Sequence, residues 1–90
     1  MYLRGVVEEP RYSQDLDNLR EQYPQIDEVQ RRISWELSRI PRAGEPLEGA
    51  PDFRFFTTAP FEDVPTFLIL YDFDEENVYL RSIAQKPKQS

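Results

Sequence analysis

The sequence contains no cysteine and no histidine. Without cysteine there is no disulfide framework, no thiolate metal site and no thiol nucleophile. Without histidine, the usual acid/base group of neutral pH and the commonest metal ligand are both missing. No metal and no cofactor are expected. Positive charge is also short, with 11 Lys and Arg against 17 Asp and Glu for a net charge of −6. The deficit is general: residues 1–50 carry 7 basic and 10 acidic side chains, and residues 51–90 carry 4 and 7. An acidic chain is repelled by a phosphate backbone unless it gathers its cations locally. Long hydrophobic runs are absent as well. The run at 67–71 is far too short to span a bilayer, and residues 1–7 lack the apolar stretch of a signal peptide. A cytoplasmic protein with no membrane partner is expected.

What is present is enough for a small core. Aromatic residues make up 13 % of the 90 residues, and a chain of this length buries roughly 60–65 % of its unfolded surface. One domain spanning 1–90 is expected, with 85–90 as a loose tail. The 8 prolines and 3 glycines punctuate the chain, most heavily at 40–49, where Pro41, Gly44, Pro46 and Gly49 fall together. Before this junction apolar residues recur at helical spacing, and after it they alternate at strand spacing.

Residues 2–7 read as a short edge strand closed by Pro10. Residues 11–23 read as a helix with Tyr12, Leu16, Leu19 and Tyr23 on one stripe, ended by Pro24. A second helix carries Ile26, Val29, Ile33, Leu37 and Ile40, with Asp27 and Glu28 in its first turn and Arg39 in its last, as the helix dipole favours. So short a link implies an antiparallel helical hairpin. Strands follow at 53–58, 66–73 and 78–84, and short connections imply antiparallel pairing. The expected class is α+β, in the order β-α-α-β-β-β, with the hairpin packed on one face of a small, mainly antiparallel sheet.

Alternation assigns the strand residues to two faces. Phe53, Phe55, Phe67, Ile69, Tyr71, Phe73, Val78 and Leu80 are expected under the helices. Arg54, Phe56, Leu68, Leu70, Asp72, Tyr79, Arg81 and Ile83 are expected on the other face, open if only one helical layer exists. An exposed apolar set of that size normally marks a protein interface. On the second helix, Trp35 points about 180° from the Ile33 stripe, with Arg31, Arg32 and Arg39 within roughly 60° of it. That composition suits a binding hot spot, and equally a tryptophan folded over arginine stems. The acids Asp72, Asp74, Glu75 and Glu76 lack the spacing and glycine of a calcium loop and read as a solvated turn.

The order of elements, together with Asp15-Leu16, Pro41, Pro46 to Gly49, Phe53-Arg54, Phe67 to Tyr71 and Val78 to Ile83, resembles the RelE/ParE superfamily of bacterial type II toxin–antitoxin toxins, also linked to plasmid stabilisation. The resemblance implies a toxin, or a degenerate relative, neutralised by an antitoxin bound on the open sheet face. Its targets would be translation, through mRNA cleavage on the ribosome, or DNA gyrase. Cleavage would use Arg54, Arg81 and Lys86 as phosphate cations and Tyr79 for stacking or proton transfer, since a 2′-hydroxyl attack needs proton transfer at both oxygens and cations at the phosphate. Partner binding would use Phe56, Leu68, Leu70, Ile83, Trp35, Arg31 and Arg39. The chain departs from the family where relatives read Tyr-Arg-Val-Ile-Tyr: Leu68 replaces the arginine. Gln85, Lys86 and Pro87 follow the last strand where relatives continue into His or Lys, Arg and then tyrosine. A different class, a non-catalytic protein-interaction module of the same fold, accounts for the same residues.

Overall fold

Pro10 follows the end of the first strand at Glu8, as expected, and also opens a helix. Its fixed φ suits the first helical position, where a missing amide hydrogen costs nothing. The computed structural model describes residues 3–60 and 64–87. The elements are β1 (Gly5–Glu8), α1 (Pro10–Gln22), α2 (Ile26–Arg39), a short 3-10 turn (Pro41–Ala43), β2 (Glu45–Leu47), β3 (Ala50–Thr57), β4 (Phe67–Phe73) and β5 (Asn77–Gln85). Tyr2 and residues 88–90 of the expected strand and tail lie outside the described residues, whereas Lys86 and Pro87 are exposed.

The five strands form one mixed sheet in the order β1-β5-β4-β3-β2. The meander β2 to β5 is antiparallel, and β1 runs parallel to β5 at the edge. The short strand β2 is an addition to the expected order. It pairs with β3 across a two-residue turn in which Gly49 adopts φ +85°, a conformation that L side chains rarely take. The β4–β5 turn is held by the Asp74 carboxylate, which accepts from the Glu76 and Asn77 amides at 2.8 and 2.7 Å. The same contacts hold its pKa below the usual carboxylate range.

Both helices present the expected stripes. Tyr12 and Leu16 of α1, and Ile26, Val29, Ile33 and Leu37 of α2, are buried against Phe67, Ile69, Tyr71, Val78 and Leu80 of the sheet. Tyr12 donates its phenolic hydrogen to the buried Gln30 side chain, which ties the helices together. Ile40 is a correction: α2 stops at Arg39, and Ile40 caps it with φ −129° and is 50 % exposed.

Two further corrections concern the sheet faces. Phe56 pairs with buried Ile69, and Arg54 with buried Tyr71, so both lie on the helix side. The run Phe53-Arg54-Phe55-Phe56 puts aromatics in both phases, so alternation alone chose the wrong one. Ile83 also belongs to the core, at 3 % exposure opposite Ile69. A bulge causes this. Tyr71 pairs with Leu80 but Leu70 pairs with Ser82, so Arg81 is an extra residue and the phase of β5 reverses beyond it.

Burial drives the Tyr12 phenol far above its ordinary pKa, with Glu8 adding to the shift. Tyr71 is raised by the same cause, partly offset by its Gly44 hydrogen bond and by Arg54. Folded, both phenols keep protons that the unfolded chain releases above about pH 10. Their contribution is therefore fully present below that pH and is lost as pH rises beyond it. Urea midpoints should hold from about pH 8 to 10 and drop at about pH 11. A midpoint that stays flat through about pH 11 would contradict this burial.

Candidate functional site

The uncovered sheet face carries Val7 from β1, Tyr79 and Arg81 from β5, Leu68, Leu70 and Asp72 from β4, and Phe53 and Phe55 from β3. Leu68, Leu70, Tyr79 and Arg81 stand where the sequence places them. Phe53, Phe55 and Val7 take the part expected of Phe56 and Ile83. Val7 and Phe55 are 38 and 37 % exposed; Phe55 pairs with half-buried Leu70, and Val7 pairs with Tyr79 at the other side of the face. Phe53 and Phe55 went unrecognised because either phase of β3 offered an aromatic pair. Val7 needed the partner of β1, which lies about seventy residues away in sequence.

Arg81 sits on this floor by the ordinary alternation of β5, one residue after buried Leu80. Its Nε and Nη2 donate to the two oxygens of Asp72 at 2.6 and 3.0 Å, and Nη1 donates to Glu9 at 3.2 Å. The rings of Tyr79 and Phe53 lie 5.5 and 6.0 Å from its guanidinium carbon. Asp72 raises the Arg81 pKa further, so the side chain is a permanent cation with its hydrogen-bonding edge already occupied. Asp72 thus leaves the acidic turn cluster and acts as the counter-ion of Arg81. Among the described residues no group of His, Cys, Asp or Glu is arranged to hold a metal ion. No described helix is long and apolar enough to cross a membrane.

The four residues expected to act together on a phosphate are dispersed. Arg54 is under the sheet, where Nη1 donates to the Gly44 carbonyl at 2.7 Å. Lys86 follows β5, beside Thr66, five residues from Arg81 and so roughly 15 Å along the strand. Tyr79 is near Arg81, but its hydroxyl donates to Asp74 at 2.9 Å. That bond raises its pKa, making it a poorer acid than free tyrosine. Only Tyr79 and Arg81 share the open face.

The face is acidic in balance. Glu9, Asp72 and Glu45 stand on or beside it against the single guanidinium of Arg81. Replacing Asp72 and Glu9 by Asn and Gln should free Arg81 and strengthen binding of a single-stranded oligouridylate about tenfold at low salt. Fluorescence anisotropy would measure this, and unchanged affinity would show that the carboxylates do not mask the cation.

Trp35 lies away from this face, 59 % exposed on α2, with the Arg39 guanidinium carbon 4.1 Å from its ring centroid. Arg31 beside it pairs with Glu28 at 2.5 Å. Neither protein-family models nor curated protein sequences match this chain.

Proposed function

We propose that this protein is a RelE/ParE-like toxin component of a type II toxin–antitoxin system, or a degenerate relative, that works by protein contact across its open sheet face. The carrying observation is an apolar floor of Val7, Phe53, Phe55, Leu68 and Leu70 around an arginine already neutralised by Asp72 and Glu9. A phosphate arriving there would have to displace two carboxylates and would meet a surface of its own sign. An antitoxin segment with apolar side chains and a positive charge would meet neither obstacle. The element order supports the RelE/ParE reading. Among toxin targets, a protein such as gyrase fits the face better than mRNA.

The neutralised arginine also favours a second reading, a non-catalytic interaction module of the same fold. Expression separates the two. Under the toxin reading, induction arrests growth and the product of a neighbouring small gene relieves it. Leu70→Asp, placed in the middle of the floor, should abolish that relief. Harmless expression, with no binding by the neighbouring product, would favour the module and sink the toxin reading.

A further inference from the structure

The three most exposed large apolar side chains of the described residues are Leu3 (59 %), Trp35 (59 %) and Ile40 (50 %). They converge on one place. The Arg4 amide donates to the Ser38 carbonyl at 3.1 Å, which brings the start of β1 onto the last turn of α2. Trp35 is one turn before that carbonyl, and Ile40 caps the helix just after it. Trp35 and Arg39 stand away from the open sheet face, whereas Arg42 borders a depression it shares with Asp52 and Asp72.

Its charge runs against that of the chain. Residues 28–42 contain four arginines and two glutamates, in a protein of net charge −6. Arg31 is engaged by Glu28. Among the described residues, Arg39 and Arg42 have no carboxylate partner: they lie over the rings of Trp35 and Phe73, at 4.1 and 5.7 Å from the centroids. Beside Trp35 is an open depression of about 600 Å³ lined by Glu28, Arg31, Arg32 and Glu36. An exposed tryptophan with arginines around it has the composition of a binding hot spot. Stacking by Arg39 covers one face of the indole.

We infer that the outer face of α2, with Leu3, docks an acidic partner segment whose apolar side chains cover Trp35 and Ile40 and whose carboxylates meet Arg39 and Arg42. Charge complementarity selects this occupant. A second copy presenting the same surface would set arginine against arginine. A nucleic acid would leave Leu3 and Ile40 unused and would be repelled by the chain as a whole.

Because Trp35 is the sole tryptophan, its emission reports occupancy directly. The probe is a fluorescein-labelled amphipathic peptide of about 14 residues, leucine on one face and glutamate on the other. Binding should shift Trp35 emission to the blue and protect it from acrylamide quenching. Arg39→Glu and Arg42→Glu, each checked for folding by circular dichroism, should each weaken binding roughly tenfold. Leu70→Asp should leave it unchanged, which separates this surface from the open sheet face. The inference is overturned if the glutamate peptide does not bind or if both arginine variants bind it normally. It is equally overturned if a lysine-for-glutamate peptide or an oligouridylate binds more tightly. Burial of Trp35 on raising protein concentration alone would show a second copy as the occupant and would also overturn it.

Discussion

Gly44→Ala is expected to cost about 3–5 kcal/mol, a large share of the stability of a chain this size. A β-carbon at Gly44 would fall 2.4 Å from the Phe55 carbonyl oxygen and 2.6 Å from the Tyr71 hydroxyl. Neither neighbour can give way. The carbonyl belongs to β3, and the Tyr71 hydroxyl is fixed by donating to the Pro41 carbonyl at 2.7 Å while accepting from the Gly44 amide at 2.8 Å. The methyl therefore adds overpacking and breaks buried hydrogen bonds together. The melting temperature should fall by roughly 15–30 °C. Gly5→Ala is the contrast, since its β-carbon would meet chiefly the Asn77 side chain, which can rotate away. Gly49→Ala should cost only about 1 kcal/mol, because it meets no atom and suffers only from its φ of +85°. A Gly44→Ala protein as stable as Gly5→Ala would refute the pinned junction.

The second large effect is at Arg54, whose role changes from cation to strut. Nη1 donates to the Gly44 carbonyl at 2.7 Å from below the sheet, beside Tyr71. A hydrogen bond from a charged donor contributes about 1.5–3 kcal/mol. Arg54→Ala should therefore lower the melting temperature by roughly 6–20 °C. Arg54→Lys should recover part of the loss, because one ammonium can still donate to the Gly44 carbonyl that Nη1 meets. Chemical denaturation gives the measurement. Full stability in Arg54→Ala would return the residue to the list of free cations.

These two residues also show how far the sequence was legible. The Pro/Gly junction was visible as the divide between helical and strand periodicity, and the helix stripes and strand order followed from it. The contact that fastens it, Gly44 against Tyr71, was not visible, because it joins positions 27 residues apart through one hydroxyl. Leu68, Leu70, Tyr79 and Arg81 were placed on the open face correctly because β4 and the start of β5 alternate cleanly. Beyond the bulge at Arg81 the alternation reverses, and nothing local in Arg81-Ser82-Ile83 marks the extra residue. In β3, aromatics in both phases left the choice to tertiary packing, which hid Phe53 and Phe55 and misplaced Arg54 and Phe56.

The charge of the open face depends on the same geometry. Asp72 pairs with Tyr79 across the β4–β5 ladder, which makes Arg81 its diagonal neighbour and lets the guanidinium reach both its oxygens. Once they pair, the face offers apolar area with an acidic balance. For such a face the proposed partner is a protein, since cleavage of RNA needs cations gathered at the phosphate.

The most direct test is an mRNA-cleavage assay on translating ribosomes, comparing the wild-type protein with Arg81→Ala. The account predicts intact message in both. Cleavage by the wild type that disappears in Arg81→Ala would mean that Arg81 leaves its carboxylates to bind phosphate, and would contradict it.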